Sequence, residues 1–557
     1  MSEHLASAGS PMIGRALSIG LRRRARLLGD REYWRLNTRA IQLAQLRGLL
    51  ERAADTEFGR EHAFGRIARL GENEMLEAYR ASVPIADWHA FKSALERMRD
   101  EAEPDVLWPG VVRNFAQSSG TTAGEKHLPV SDALLKSNRK AAVDLFATAI
   151  RFGASLPRLT GGKLLFLGGS TALEVNEHGI RTGDLSGIVV PMIRWPMTKI
   201  YEPGPDVALM SHWPSKIERI VDRCMDMDVR MVNGVPSWIC VLFERLIERA
   251  RARGRDVSCV RDVWPNLMLF VHGGVRYEPF DLRVRRLFSG DARAEDIPFR
   301  LEVYPASEAF IALQETKGER SLRLLSDIDN FYEFTPVEDA ANPGARAYAV
   351  DEVEKGVAYA VTMSTCAGLW RYVIGDVVEF DTIPGEHADG PASLRIVGRL
   401  SHFINAFGEH VIVEHVESAV AEASRATGLE VGEFTAAPVF PEGDRRGGLE
   451  LAIELEVKSS DRSLLDRFGI VFDEGIKRLN LDYTTKRTDD TGMAPPTITP
   501  VPAGTFNRWM ESRGKLGGQH KCPRCANTRQ YIDDLLRLAA NQPRIDRPAE
   551  AQGKEAP

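Results

Sequence analysis

The stretch Gln117-Ser-Ser-Gly-Thr-Thr-Ala-Gly-Glu-Lys126 combines four hydroxyls, two glycines and a lysine between an apolar run and a helix-like segment. Glycines let backbone N–H groups approach an anion, hydroxyls add donors, and a lysine supplies positive charge. The stretch therefore predicts a turn that binds a polyphosphate. Its spacing is not that of a Walker A loop, so a solvated Ser/Gly loop is the alternative, and motifs further along the chain decide between the two.

The segments around this turn alternate between short apolar runs and amphipathic helices, which is typical of α/β layers. Helices are predicted over 131–150 and 236–251. Strand candidates are 163–167, 229–232, 267–271 and 301–304, and the β-branched and aromatic segments 330–337, 358–363 and 371–380 indicate a more antiparallel part. We predict an α/β fold in which a large N-terminal domain of layered sheets and helices precedes a smaller, mobile C-terminal α/β domain.

Composition shifts along the chain predict the domain boundaries. Residues 1–398 form the large domain, and its first 100 residues read as a mostly helical cover. Residues 399–541 form the small domain, with helices near 414–426 and 463–479 and a strand near 449–457. The Pro-, Ala- and charge-rich residues 542–557 are expected to be disordered.

Charge and hydropathy narrow the classes of partner. A formal net charge of −6 over 557 residues gives no basic field for nucleic acid. The absence of a long apolar window and of a signal-like opening leads us to expect a cytoplasmic protein without stable membrane association. The six cysteines are scattered, as expected for reduced thiols. Cys522-Pro-Arg-Cys525 has a zinc-like spacing, but no second ligand pair lies near it.

Two acidic motifs can complete a nucleotide site. In Tyr304-Pro-Ala-Ser-Glu308 a predicted strand ends in a hydroxyl followed by a carboxylate, so Ser307 can meet a phosphate and Glu308 can hold Mg²⁺ through oxygen. In Trp370-Arg-Tyr-Val-Ile-Gly-Asp376 an acid after glycine can accept ribose hydroxyls. Taken alone, the first motif is also typical of a helix cap and the second of a turn aspartate.

Taken as an ordered set, these motifs and the segment that begins Gly398-Arg399 resemble the adenylate-forming superfamily of acyl-CoA synthetases, luciferases and peptide-synthetase adenylation domains. The Ser-Ser-Gly-Thr-Thr-Ala-Gly-Glu and Pro-Ala-Ser-Glu forms, with Gln519-His-Lys-Cys-Pro-Arg524 near the end, are more similar to the auxin-responsive Gretchen Hagen acyl acid amido synthetases. The resemblance covers roughly residues 80–530. It implies ATP and Mg²⁺ as cofactors and an acyl-AMP intermediate.

The resemblance also implies a role for each matching residue. Glu308 would hold the metal, and Lys521 would swing in with the small domain to balance charge around the reacting phosphate. Lys515, in an Arg-Gly-Lys sequence, is the competing candidate for that lysine. The residues implied to contact the nucleotide are Ser118, Ser119, Gly120, Thr121, Thr122, Gly273, Gly274, Tyr304, Ser307, Asp376 and Arg399.

Some positions leave alternatives open. The glycine pair in His272-Gly273-Gly274 fits the family's adenine platform and fits an ordinary strand-end turn equally well. Ser401 stands where the superfamily usually has an acid at the hinge, so the hinge position is open. Residues 233–238, ending in Trp238, can line an acyl pocket or simply pack in the core.

The function expected from the resemblance is ATP-dependent adenylation of a small carboxylic acid, followed by transfer of the acyl group to an amine such as an amino acid. One alternative is an acyl-CoA ligase that uses the same adenylate. Another is a nucleotide-binding regulator without turnover. The expected partners are the small-molecule acid and amine, without nucleic acid, and the expected state is a monomer or homodimer.

Overall fold

The computed structural model describes residues 11–119, 125–168, 173–210, 212–274, 277–293, 295–340, 342, 344–400, 403–404, 411–440, 447–455, 462–480, 483–484, 487, 493–513 and 522–540. The chain begins with helices, as the sequence predicts. They are α1 (Pro11–Gly29), α2 (Arg31–Ala53), α3 (Glu57–Glu61), α4 (Phe64–Ile67), α5 (Glu72–Ser82) and α6 (Trp88–Asp100). Among the described residues, no helix is both long and apolar enough to cross a bilayer.

The middle of the chain alternates strands and helices. Its first elements are β1 (Asn114–Ser119), β2 (Glu125–Pro129), α7 (Asp132–Arg151), α8 (Leu156–Leu159), β3 (Lys163–Phe166), β4 (Glu174–Val175), β5 (Arg181–Gly183), α9 (Leu185–Val189), β6 (Tyr201–Glu202), α10 (Pro205–Ala208) and α11 (Trp213–Cys224). They are followed by β7 (Val229–Asn233), α12 (Pro236–Ala252), α13 (Val260–Val263), β8 (Leu269–Gly273), α14 (Asp281–Ser289), β9 (Phe299–Pro305), β10 (Phe310–Gln314) and β11 (Leu322–Leu324). Short 3₁₀ turns lie at Val190–Met192, Met197–Lys199 and Glu278–Phe280.

A run of strands closes this part, and a smaller α/β unit follows. The strands are β12 (Phe331–Pro336), β13 (Tyr348–Ala349), β14 (Ala358–Ser364), β15 (Tyr372–Thr382) and β16 (Ser393–Arg399), with a 3₁₀ turn at Val337–Asp339. The later elements are β17 (Phe403–Ile404), β18 (Val411–Ile412), α15 (Val413–Thr427), β19 (Val431–Val439), β20 (Gly448–Leu455), α16 (Arg462–Leu479), β21 (Thr497–Val501) and the helices Thr505–Ser512 and Gln530–Ala540.

Most of these strands belong to one sheet. Among the described residues its order is β13-β12-β14-β15-β16-β11-β10-β9-β8-β7-β3-β6. Neighbours from β6 to β9 are parallel, and all neighbours from β9 to β13 are antiparallel. The four predicted strands of the first group are confirmed in the parallel half, and the later three are confirmed in the antiparallel half. The sheet changes direction between β9 and β10, at the Tyr304–Glu308 motif.

Side chains alternate across the parallel half, as strands with two covered faces require. On β8, Phe270 packs into the core beneath α11 to α14, whereas Leu269 and Val271 pack into the core beneath α1, α7 and α8. Trp238, on α12, is partly buried against the first of these cores, which is the packing alternative considered above for that residue.

The C-terminal elements build a separate sheet in the order β19-β20-β21, covered by α15 and α16. Their apolar side chains form a core of their own, which includes Val416, Phe434, Ile453 and Phe472. The predicted helices near 414–426 and 463–479 and the predicted strand near 449–457 are confirmed as α15, α16 and β20. The boundary between residues 398 and 399 stays a prediction, and the tail 542–557 lies outside the described residues.

Candidate active site

The two ends of the polyphosphate stretch lie on paired strands. In the antiparallel pair β1–β2, Ser118 lies opposite Lys126 and Ser119 opposite Glu125. The sequence does not predict β2, because Gly, Thr and Ala dominate the segment before it. The predicted phosphate contacts Gly120, Thr121 and Thr122 lie outside the described residues, as do the side chains of Ser118 and Ser119.

The Tyr304–Glu308 motif forms a tight turn between β9 and β10. The N–H of Ala306 donates to the carbonyl of Ala309 at 2.9 Å, and β10 follows at once. No helix begins here, so the helix-cap alternative for Ser307 and Glu308 is wrong. Both side chains are buried, at 5% and 9% exposure.

Asp376 lies on β15 directly opposite Arg399 on β16. Its carboxylate accepts two hydrogen bonds, one from the Arg399 Nε on the neighbouring β16 at 2.7 Å and one from the Tyr304 hydroxyl on the more distant β9 at 2.7 Å. Gly375, just before it, has φ +85°, a conformation that favours glycine. The structure thus brings Tyr304, Asp376 and Arg399 together, and the alternative of a plain turn aspartate does not describe this position.

Glu308 belongs to the same cluster. Burial is the largest influence on its carboxyl and, with repulsion from Asp376, raises its pKa to about 7, while Arg399 and Lys126 act in the opposite direction. Lys126 is the last residue of the polyphosphate stretch, so its electrostatic influence on Glu308 indicates that the β2 end of that stretch lies near the site. A buried carboxyl with a pKa near neutrality, beside a second acid and two cations, is typical of functional sites.

The glycine pair lies beside this cluster at the carboxyl end of β8. Gly273 is the parallel register partner of Val303, the residue before Tyr304. A Cβ at position 273 would lie 2.3 Å from the carbonyl oxygen of Val303, and Gly274 has φ +81°. Ligands in open α/β sheets bind outside the carboxyl ends of parallel strands. The pair is therefore structurally required, and it adjoins the place where a nucleotide is expected.

We expect Gly273→Ala to destabilise the protein and to weaken ATP binding, because the added methyl group must push β9 away. Overpacking of this kind costs about 1–3 kcal/mol. The matched control is Gly48→Ala on α2, where the nearest atom to an added Cβ is 3.6 Å away. The midpoint of thermal unfolding and the Kd for ATP test both variants. An unchanged ATP affinity in a folded Gly273→Ala protein would place the nucleotide elsewhere.

An anchoring pair behind the site was not anticipated from the sequence. Arg371, at φ +45° just before β15, donates to the buried Glu333 carboxylate through Nε at 2.8 Å and to the carbonyl of Val83 through Nη1 at 2.9 Å. These contacts fix the start of the strand that carries Asp376. The available signal was an arginine between Trp370 and Tyr372, since a charge inside an aromatic strand needs a buried partner.

The lysines expected to move with the small domain cannot be placed, because Lys515 and Lys521 lie outside the described residues. The cysteines beyond Lys521 are described. All six cysteines of the chain are buried and outside any disulfide, and burial raises the pKa of the Cys522 thiol to about 12. No group of three or more metal-ligating side chains occurs in the described part of the chain.

The fold and the cluster together describe an α/β protein whose large sheet joins a parallel and an antiparallel half, with acidic and cationic side chains from both halves in contact. Models of the GH3 family match three parts of the chain: the N-terminal domain at residues 31–207, the central domain at 324–399 and the C-terminal domain at 414–530. These ranges cover more than half of the sequence, and the chain belongs to the GH3 family.

Individual relatives are similar over nearly the whole length. Indole-3-acetic acid-amido synthetase GH3.8 of Oryza sativa subsp. indica is 28% identical over 572 residues, which cover 90% of each chain. AtGH3.15 acyl acid amido synthetase in complex with 2,4-DB shares the fold with a TM-score of 0.71 at 17% identity, over 95% of this chain and 97% of that chain. A 2-hydroxyisobutyryl-CoA ligase in the postadenylation state has a TM-score of 0.55 at 14% identity, over 90% and 91%.

Proposed function

We propose that this chain is an ATP-dependent acyl acid amido synthetase, which converts a small carboxylic acid to its acyl-AMP and transfers the acyl group to an amine such as an amino acid. The single observation that carries the proposal is the cluster of Tyr304, Glu308, Asp376 and Arg399, contributed by three strands and one turn of a GH3-family sheet. Membership of a family whose named relatives are amido synthetases supports the choice of acceptor.

In the first step, a carboxylate oxygen of the acid attacks the α-phosphorus of ATP and pyrophosphate leaves. In the second, an amine attacks the acyl carbon, AMP leaves, and the nitrogen loses a proton. Neither step needs a protein nucleophile, so catalysis depends on positioning and charge. Asp376, held by Tyr304 and Arg399, would accept the ribose hydroxyls, while Ser118, Ser119, Thr121, Thr122 and Ser307 would bind phosphates.

The described residues fit one magnesium ion bound with the nucleotide. Mg²⁺ in such sites is usually held by one or two carboxylates together with substrate phosphates. The cluster has two buried carboxyls, Glu308 and Asp376, and Asp376 already accepts hydrogen bonds from Tyr304 and Arg399, so Glu308 is the one assigned to the metal. When bound, the ion would supply positive charge against the charge that develops on the phosphates. Glu308 would hold it and must be ionised to do so.

The affinity for magnesium-bound ATP should therefore rise with pH. Because the folded-state pKa of Glu308 lies above the ordinary value of 4.5, the free protein is most stable with this carboxyl protonated and loses that stability as pH rises through about 7. Metal binding needs the ionised form. We expect about tenfold weaker binding at about pH 6 than at about pH 8.

Glu308→Gln provides the reference for this experiment, since titration of ATP itself affects both proteins equally. The ratio of the two dissociation constants, measured by calorimetry from about pH 6 to about pH 8, isolates the contribution of Glu308. A ratio that stays constant over this range would contradict the assignment of Glu308 to the metal.

The Tyr304 hydroxyl should contribute to ATP affinity through Asp376. Loss of a hydrogen bond to a charged group costs about 1–2 kcal/mol, so we expect Tyr304→Phe to raise the Kd for ATP about 5- to 30-fold. The C-terminal unit offers a matched control, because Tyr483 donates to Asp473 at 2.7 Å and Arg487 donates to the same carboxylate. Tyr483→Phe should lower stability alone. Equal ATP affinities in the two variants would refute the role given to Tyr304.

The function itself is tested in two stages. Labelled pyrophosphate should exchange into ATP only when a suitable acid is present. That acid is identified by screening a panel of small aliphatic and aromatic acids. AMP release should then depend on an added amino acid and leave coenzyme A unconsumed. Thiol consumption without an amine would establish the acyl-CoA ligase alternative. ATP binding without AMP release for any acid and amine would establish the regulator.

We also propose that the reaction takes place in the cytoplasm. Six buried cysteines that form no disulfide fit a reducing compartment, in which thiols stay reduced.

A further inference from the structure

A second polar cleft lies at the other end of β15 and β16 from the proposed nucleotide site. Its volume is about 480 Å³, and its walls include Arg31, Glu315, Ser321, Ser393 and Glu414. Ser393 precedes Arg399 by six residues on β16, which separates the cleft from Asp376 by roughly 20 Å at ~3.3 Å per residue. The cleft is therefore distinct from the site of adenylation.

Buried polar atoms without partners are concentrated in its wall. Among the described residues, Glu315 Oε2, Ser321 Oγ and Ser393 Oγ accept or donate no hydrogen bond, and neither does the Nε of Arg323. The antiparallel register places Ser393 opposite Arg323, so their side chains share one face of the sheet. Glu315 and Ser393 are only 3% and 1% exposed. Buried polar groups are rarely left unpaired, so three in the wall of one cleft, with Arg323 behind the wall as a fourth, indicate a binding surface.

The inner end of the cleft carries an excess of positive charge. The Glu315 carboxylate is surrounded by three guanidiniums, with Arg31 at 3.1 Å, Arg151 at 3.8 Å and Arg323 in direct contact. Burial, together with repulsion from the neighbouring arginines, lowers the pKa of Arg323. One carboxylate cannot neutralise three cations, and the excess favours an anionic ligand.

The outer end carries three carboxylates, Glu414, Asp381 and Glu319, against two arginines. Arg320 and Arg395 both bind Glu414, at 2.8 Å and 3.4 Å, and Arg395 also binds Asp381. Glu319 is exposed at the rim. Glu414 and Asp381 therefore already pair with Arg320 and Arg395. We expect a ligand to contact the inner arginines and serines instead.

We propose that this cleft binds a small anion through a phosphate or carboxylate group, which contacts Arg31 and the hydroxyls of Ser321 and Ser393. The site does not depend on the proposed amide-forming activity, because none of these residues belongs to the nucleotide cluster. Phosphate and carboxylate ligands share this chemistry, and the experiment distinguishes between them.

Calorimetry on the full chain tests the site with inorganic phosphate and with citrate as probes, at constant ionic strength. Saturation with magnesium and α,β-methylene-ATP blocks the nucleotide site. We expect one binding event for at least one probe, weakened about tenfold or more by Arg31→Ala and by Ser393→Ala. Arg22→Ala, on the exposed face of α1, is the control and should bind as the unmodified protein does.

Thermal unfolding supplies a second measurement. Ser393→Ala removes an unpartnered buried hydroxyl, so without a probe its unfolding midpoint should equal or exceed that of the unmodified protein, while its probe-induced stabilisation should be lost. The proposal is overturned if neither probe binds at up to about 20 mM, or if Arg31→Ala binds both probes with unchanged affinity. The first result would mean that water satisfies the buried atoms.

Discussion

Glu308→Gln is expected to slow acid-dependent pyrophosphate exchange by about two to three orders of magnitude, the effect typical of removing one charge partner of a transition state. The amide keeps the shape of the side chain but cannot hold Mg²⁺ as a carboxylate does. Burial already keeps the pKa of Glu308 near 7, so a neutral side chain fits the folded protein, and the variant should be at least as stable as the unmodified chain at neutral and higher pH.

A second buried glutamate provides the matched control. Burial likewise raises the pKa of Glu454 to about 7, but this side chain accepts a hydrogen bond from the N–H of Phe506 in the C-terminal unit. Glu454→Gln should leave exchange within about threefold of the unmodified rate. If Glu308→Gln retained full exchange activity while folded, the metal would have to be held elsewhere and the proposed role of the turn would be wrong.

Lys521→Ala is expected to have a comparable effect on adenylation. A mobile lysine that offsets charge between the acid, the α-phosphate and pyrophosphate contributes to the transition state only, so its loss should cost about 3–4 kcal/mol, or two to three decades in rate. Amide formation from chemically prepared acyl-AMP should be affected much less. Single-turnover measurements of the two half-reactions separate these outcomes.

Lys515→Ala is the natural comparison, because it removes the same charge six residues earlier. If Lys521 is the catalytic lysine, this variant should keep adenylation within about threefold of the unmodified rate. The reverse pattern, with adenylation lost only in Lys515→Ala, would transfer the role to Lys515. If both variants adenylated at the rate of the unmodified protein, neither lysine would contact the reacting phosphate.

Local sequence patterns predicted the parallel and antiparallel halves of the sheet because β-branched runs and helix periodicity are local signals. The same patterns did not predict β2, whose neighbours are turn-forming residues, or the short strands β4 and β5, which have two and three residues. Pairing across the sheet depends on strands that are far apart in the sequence, so the pattern of one segment does not predict its partner.

The sequence predicted which residues belong to the candidate site, but it did not predict the hydrogen bonds and charge interactions between them. The motifs indicated that Asp376 and Arg399 belong to a nucleotide site, whereas the hydrogen bond between Tyr304 and Asp376 joins residues 72 positions apart. The pKa of Glu308 follows from burial in three dimensions. For the same reason the position of Arg371 between two aromatic residues indicated a buried partner but did not identify Glu333 as that partner.

The cluster also connects the two halves of the large sheet, in addition to the pairing between β9 and β10. Tyr304 lies at the end of the last parallel strand and Asp376 lies in the antiparallel half. A nucleotide bound beside both residues would therefore stabilise the junction between the two halves. A ligand that binds only the joined form raises the stability of both halves together by mass action. Without nucleotide, proteases should therefore cut first near this junction. ATP should protect the cleavage sites in the parallel half and those in the antiparallel half to the same extent.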